Sequence, residues 1–532
     1  MTTTDVADAQ LRSRDRKVIA TLLIATFVVI LNETIMGVAL PVLMVDLDLS
    51  AGTVQWLTTA FMLTMAVVIP TTGFLLQRFS TRTVYGAALG LFSAGTLLAG
   101  VAPGFWVLLL GRIIQASGTA IMLPLLMTTI LTLVPIHRRG VVMGNVSIAI
   151  SVAPAIGPTL SGLILQFLPW RFMFLLVLPI ALAALAYGLK GLVNVNADGD
   201  QPLDVVSVLL SVPGFGGIVF GLSRLGESSG SAAWVAPVSL VVGVVCLVLF
   251  VVRQRALVAG KGPLLDLRAF SFTMFRRGVA LLCIAAVALF GAIILLPIYF
   301  QNVRGLNTLQ TGMLLLPGGL LMGLLGPVVG RLFDKYGPRW LSASGSALLV
   351  LTMLALTQVG PTTPIPLLLG IHLTLSTGLA FLFTPAFTTA LNPLPPSLYS
   401  HGSAILSTLQ QVAGAAGVAL LVTVVTLRAQ TAATTGADDI AAEVAGLHLA
   451  FLVAAVIGVV AVALALTLRK TEAVAPGHGP HGEPTGAEPA RTESTDAELR
   501  NADPSSAEPN NAEPSSAEPS NDEIAVAEAD RR

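Results

Sequence analysis

The sequence predicts an all-α membrane protein whose fourteen transmembrane helices form two six-helix bundles with two further helices inserted between them. Three observations lead there. Only 11% of the 532 residues are charged and 54% are hydrophobic, with a mean hydropathy of +0.83, whereas a soluble chain carries about 25% charge. Fourteen apolar runs are long enough to span a bilayer, which takes about 20 residues each. The second half of the chain also repeats the first: GFLLQRFSTR (73–82) and GRLFDKYGPR (330–339) match at an offset of 257, Gly118 and Gly378 at 260, Gly144 and Gly402 at 258.

Residues 1–17 are polar and end in Arg12, Arg14, Arg16 and Lys17. The apolar run that follows is too long for a signal-peptide core and lacks a clear cleavage site, so it reads as a retained first span. Runs at 18–42, 54–77, 84–104, 106–133, 141–167 and 172–192 make the N-terminal bundle, 18–192. Runs at 204–223 and 232–252 are the inserted pair, 204–252, the weakest of the set because of Gly-Pro-Gly interruptions and short flanks. A basic cytoplasmic loop, 253–277, leads to the C-terminal bundle, 278–468, with runs at 278–301, 309–332, 340–358, 364–390, 402–427 and 446–468.

Up to Lys470 the chain holds 25 Lys/Arg and 15 Asp/Glu, and beyond it 4 and 14, so overall neutrality is a cancellation between a basic body and an acidic tail. With a cytoplasmic N-terminus, twenty of those 25 basic residues fall in inner segments, four in outer ones and one, Arg112, inside a span. That bias puts both termini in the cytoplasm. All five Trp lie near span ends, at the level of an aromatic belt. The tail, 469–532, repeats PSSAEP and has few aliphatics, so it cannot offset its ordering entropy and reads as disordered and cytoplasmic.

Several functions are disfavoured. Two isolated cysteines, Cys246 and Cys283, supply no disulfide framework or Cys-based metal site, and no His pair has metalloenzyme spacing within a span. No G-x-x-x-x-G-K-[ST] motif is present, so ATP is not the expected energy source. A membrane-embedded enzyme needs a His/Asp or Ser/Lys constellation at lipid depth, and none is found. No cofactor, metal or nucleic-acid partner is expected. The expected partners are small hydrophobic substrates, protons and the bilayer, and the protein is expected to be a monomer.

Glu33 is the one acid well within a span. Such a group is costly to insert, by about 2.5–3.5 kcal/mol, and usually faces a bundle interior. A carboxyl withdrawn from water holds its proton more tightly, so a proton and an organic cation can compete for it, which is the minimal machinery of exchange. The alternative reading is a structural polar plug. Arg112, the sole intramembrane Arg, lies about 9 Å inward from Trp106, and Glu33 about 12 Å inward from Pro41, at 1.5 Å per residue. Their similar depth suggests a pairing, direct or through water. Arg112 cannot itself exchange protons, so it would tune Glu33 or gate; alternatively backbone carbonyls satisfy it. His372 sits near the matching place in the second half and is a possible proton carrier, or simply a helix His bonded to its neighbours. In 144–162, Gly144, Ala153, Gly157-Pro158 and Gly162 place small residues and a helix-weakening Pro along one helix.

These motifs together resemble the major facilitator superfamily, and within it the fourteen-helix drug:proton antiporter family of multidrug exporters, in particular the lincomycin-resistance type. The resemblance covers residues 18–468. The inner-loop motif G-x-L-x-D-r-x-G-r-k is met by Gly330, Leu332, Asp334, Gly337 and Arg339; its first copy keeps Gly73, Leu75 and Arg82 but has Gln77 for the Asp and Ser80 for the Gly. The resemblance implies that these loops gate, without charge-mediated latching by the first copy. Arg112, Gln115 and Gly118 match a fourth-helix motif tied to proton transfer. Gly144, Ala153, Gly157, Pro158 and Gly162 match the fifth-helix motif that separates exporters from uptake relatives. In LNETIMGVALP (31–41), Asn32 stands where many members carry Asp, and Glu33 follows about 100° around the helix.

The resemblance implies proton-coupled efflux of hydrophobic cationic drugs or antibiotics across the cytoplasmic membrane by alternating access. The alternatives are a dedicated exporter of one antibiotic or metabolite, or an uptake symporter of the same superfamily.

Overall fold

The structure, a computed structural model, describes residues 13–192, 194, 203–224, 234–258 and 262–470. All belong to one compact unit, Met1–Ala475. Arg12, Lys261 and the acidic tail beyond Lys470 lie outside the described residues.

Among the described residues, fourteen helices are long and apolar enough to cross a membrane, matching the expected number. They are α1 (Ser13–Asp46), α2 (Thr53–Arg78, interrupted by a 3-10 turn at Ile69–Thr71), α3 (Thr81–Gly100), α4 (Phe105–Leu133), α5 (Arg139–Phe167), α6 (Phe172–Gly191), α7 (Val205–Ser223), α8 (Val235–Leu257), α9 (Thr273–Val303), α10 (Thr308–Tyr336), α11 (Pro338–Leu356), α12 (Ile365–Leu391), α13 (Tyr399–Thr434) and α14 (Asp439–Leu466). The polar caps are local. Ser50, Ser80, Asp204 and Asp438 accept a backbone N–H at the start of α2, α3, α7 and α14, and Asn307 with Gln310 forms a full capping box on α10. Pro70 sits in the 3-10 turn of α2, where a missing N–H breaks the α ladder.

Helix neighbours repeat with a shift of eight. In the first half α1 packs on α4, α5 and α6, α2 on α4, and α3 on α4 and α6. In the second, α9 packs on α12, α13 and α14, α10 on α12, and α11 on α12 and α14. The shift equals six helices plus the inserted pair, so the internal repeat in the sequence is a repeat in packing. The inserted helices pack on each other, and α7 also packs on α2 of the first half and α13 of the second.

Small residues set the closest approaches, as expected where bilayer helices associate by close van der Waals contact. A Cβ on Gly95 would stand 2.4 Å from Gln115 N, and one on Gly118 only 2.2 Å from Ala88 O, so α3 and α4 touch through their backbones. The two halves meet along α5 and α10. There Gly144 faces the Gly326 carbonyl and Gly330 the Gly140 carbonyl, each with 2.2 Å left for a Cβ.

An even number of crossings puts Ser13 and Lys470 on one face, here termed the terminal face.

Candidate functional site

Glu33 lies mid-way along α1 and is half-buried, while Asn32 beside it is buried. What turns α1 this way is its seat on α5. Thr34 Oγ1 donates to Leu31 O at 3.0 Å and to Ala153 O at 3.5 Å, and a Cβ on Gly157 would collide with Thr34 Oγ1 at 2.3 Å. The small residues Ala153 and Gly157 therefore receive Thr34, and Glu33, one residue earlier, is rotated off that contact. Asn32 Oδ1 is buried with no hydrogen-bond partner.

Arg112 is fully buried on α4. Its guanidinium lies 4.0 Å over the Phe61 ring of α2, and Nη1 donates to Gln115 Oε1 at 2.7 Å. Gln115 Nε2 in turn donates to Thr96 Oγ1 at 2.7 Å. Gly118 makes the chain possible, because its bare Cα lets α4 settle on α3 and brings Thr96 within reach. Arg112 Nε keeps no hydrogen-bond partner. Glu33 and Arg112 act on each other electrostatically with no direct ion pair between them among the described residues. Arg112, Gln115 and Thr96 thus form one hydrogen-bonded chain, and the Arg112 charge acts on the carboxyl of α1. Pro158 lies in the interior of α5, and a Cβ on Gly162 would meet nothing within 4 Å.

His372 is not part of this cluster. Its Nε2 donates to Leu315 O at 3.0 Å across to α10, with Gly318 leaving room for the ring. The backbone carbonyl holds Nε2, while Nδ1 is buried with no hydrogen-bond partner. At the offset of 257 Gly318 is the counterpart of Phe61, and at 260 His372 that of Arg112. An Arg on Phe in one half has become a His on Gly in the other.

Side-chain hydrogen bonds join the halves near the terminal face. The Asp334 carboxylate accepts from Gly140 N at 3.0 Å and Val141 N at 3.1 Å, capping the first turn of α5, where the helix dipole favours negative charge. In the first copy of the loop motif, Gln77 Nε2 donates instead to Ser397 O at 3.3 Å, just before α13. At Gln77 that contact is between neutral groups. Arg139 donates to Leu131 O at 2.6 Å and Val134 O at 3.1 Å, and reaches Tyr399 Oη at 2.9 Å and Asn392 Oδ1 at 3.5 Å. Thr128 donates to Ser403 Oγ at 3.2 Å, and the Ser147 and Thr384 hydroxyls share a bond of 2.8 Å.

Gly337 ends α10 at φ +78°, a conformation only glycine adopts freely. Its counterpart Ser80 has φ −63° and caps α3, so the degenerate copy needs no glycine. Gly73 lets α13 approach, since a Cβ there would stand 3.0 Å from His401 Nδ1. Arg82 and Arg339 are exposed; Arg339 lies over Trp340, and Arg82 N is held by Asn194 Oδ1. Neither bonds to the opposite half among the described residues. Sequence reasoning missed Arg139, Tyr399 and His401 as contact residues. The signal was present for the first two, since Arg139 and Tyr399 are separated by 260, the offset of Gly118 and Gly378.

Comparison with known proteins agrees with this architecture. The profile of the Major Facilitator Superfamily matches residues 22–418. The chain is 41% identical over 459 residues to the uncharacterised MFS-type transporter YcnB of Bacillus subtilis (strain 168), covering 86% of this chain and 96% of that one. It is 40% identical over 460 residues to the lincomycin resistance protein LmrB of Listeria monocytogenes, covering 86% and 97%. Among solved structures, the human organic anion transporter MFSD10 (TETRAN) superposes with a TM-score of 0.60 at 15% identity, over 85% of this chain and 99% of that one, which speaks for the fold alone. The chain is therefore a multi-pass membrane transporter, not an enzyme, and belongs to the Major Facilitator Superfamily.

Proposed function

We propose that this transporter expels hydrophobic, cationic drugs or antibiotics across the cytoplasmic membrane in exchange for protons, with both termini in the cytoplasm. The observation that carries it is the half-buried Glu33 carboxyl at mid-helix, acted on by a buried Arg112 that makes no direct pair with it. Such a carboxyl keeps a vacancy for either a proton or a cation. The lincomycin-resistance relatives support a drug as cargo. The closed gate would then face the cytoplasm, and alternating access would proceed by parting the halves there and closing them on the other side.

In this cycle Glu33 gives up its proton inside as cargo binds and regains it outside as cargo leaves. Exchange of one proton for one monovalent cation moves no net charge, so the pH gradient drives this cycle, at about 1.4 kcal/mol or tenfold per pH unit. A neutral cargo would also draw on the membrane potential, at about 2.3 kcal/mol per 100 mV. Neither ATP nor a cofactor takes part, and the monomer suffices. The test is drug efflux and proton flux in the same vesicles, with lincomycin as the first cargo, for Glu33→Gln and Asn32→Asp variants. Glu33→Gln should abolish proton-coupled efflux. Undiminished coupled transport by it removes Glu33 from the mechanism.

A further inference from the structure

The inserted helices α7 and α8 have no counterpart in the internal repeat, and the exchange scheme above gives them nothing to do. Their terminal-face ends are nonetheless elaborately built. Asp204, which caps α7 at Ser207 N, takes a two-pronged ion pair from Arg253 of α8 at 2.6 and 2.7 Å. Next to it Gln254, fully buried, spans two partners: Nε2 donates to Ser207 Oγ at 2.7 Å, and Oε1 accepts Leu265 N at 3.1 Å. The second bond leaves the pair and seizes the segment 262–272 that leads to α9.

That segment is an unusual connection. Loops run over the surface, yet Leu264, Leu265 and Asp266 are each 2% exposed and Ala269 is fully buried. It is also internally stiff. Asp266 accepts from Arg268 N at 2.9 Å and pairs with the Arg268 guanidinium at 2.6 Å, closing the turn Leu267–Ser271. Its buried end lies where the halves meet. Gly73 of α2 has Leu264 O and Leu265 Cδ2 within 3.4 Å of a Cβ position, and His401 Nδ1 of α13 at 3.0 Å. First half, second half and connecting segment converge on one glycine.

We infer that the inserted pair α7–α8 anchors residues 262–272 as a strap that clamps the terminal-face gate closed, through Gln254 and its bond to Leu265. For α2 and α13 to part, Leu264 and Leu265 must leave at least one of them. A strap fixed to α7–α8 resists that movement, and a released one permits it. The inserted helices thereby set how often the gate opens.

This rests on the reading that the terminal face opens during transport, but its test needs neither drug nor proton gradient, so its failure and that of the Glu33 scheme are separable. The full chain, with Cys246 and Cys283 replaced by Ala, carries spin labels at Lys190→Cys and Lys335→Cys, exposed positions on the terminal face in opposite halves. Distances are read by pulsed electron resonance in lipid nanodiscs. Gln254→Leu, which keeps the side-chain volume and loses both bonds, should raise the long-distance population at least threefold. Leu264→Ala, which trims the strap without leaving a polar group unpaired, should act in the same direction and stands in if Gln254→Leu does not fold. An unchanged distance distribution in a folded variant overturns the strap. So does a lower melting temperature with the distribution intact, since Gln254 would then only brace the inserted pair.

Discussion

Arg139 and Tyr399 are the first residues of α5 and α13, helices that hold equivalent places in the two halves, and the Arg139 guanidinium donates to the Tyr399 hydroxyl across the junction at 2.9 Å. No carboxylate neutralises Arg139 among the described residues; carbonyls at the end of α4, one phenol and one amide carry the charge. Parting of the halves removes the last two. Tyr399→Phe deletes one charged hydrogen bond, worth about 1.5–3 kcal/mol, and should shift the balance at least tenfold toward the terminal-face-open form. Thiol labelling of a Cys at Ser403 from the terminal side would report it, and unaltered labelling would deny the gate its Arg.

Asp334 caps α5 rather than pairing with a basic side chain. Asp334→Asn keeps one acceptor oxygen for two N–H donors and loses the charge at the helix dipole. It should weaken the closed gate by about 1–2 kcal/mol, and Asp334→Ala by more. Transport rates and labelling of both variants check the order; equal effects would point to a merely steric role.

The glycines of the fifth-helix motif should separate sharply. Gly144→Ala puts a methyl 2.2 Å from the Gly326 carbonyl, with backbone on both sides and nothing to give way. Gly162→Ala meets nothing. The first should abolish transport or folding and the second leave expression and melting temperature within error. Comparable loss in both would mean that the motif acts through something other than close packing.

Gln115 joins Arg112 to Thr96 in the interior. Gln115→Leu leaves a buried guanidinium nitrogen without its partner, at a cost of about 1–3 kcal/mol, so the melting temperature should fall even without substrate. A stability equal to wild type would show that Arg112 finds another acceptor.

The Asp204–Arg253 pair lies at the edge of the bilayer, where the Arg253 guanidinium, bonded to the carboxyl, holds Asp204 well below the usual carboxylate range, at about 2. A depressed folded-state value means that its stabilisation is complete above the ordinary Asp range near 4 and lost as pH falls through 2. The gap in melting temperature between wild type and Asp204→Asn should be constant from pH 8 to pH 5 and shrink only below about pH 4. A gap that closes between pH 7 and 5 would contradict this pairing.

The prominence of Glu33 and Arg112 could be read from the sequence because an ionisable residue amid apolar ones stands out without any structure. Their relation was reachable too, since depth follows from counting residues along two helices. The role of Arg139 was easy to miss, because one more basic residue at a helix end looks like topology bias, although its separation of 260 from Tyr399 matches the internal repeat. His372 shows the opposite limit. Its type suggested proton chemistry, and only the structure shows its seat on Gly318, with Nε2 on the Leu315 carbonyl and Nδ1 buried without a partner.

By itself the sequence determined the number of crossings, the repeat of one half in the other and the isolation of a single acid in a span. These are properties of composition along short stretches, since about twenty apolar residues make a span wherever they occur. Tertiary structure alone decided that Asp334 caps a helix, that Thr34 seats in α5 beside Gly157, and that Arg139 bridges the halves. Those pairings join residues far apart in the chain, and only the packed helices determine which buried polar groups can reach each other.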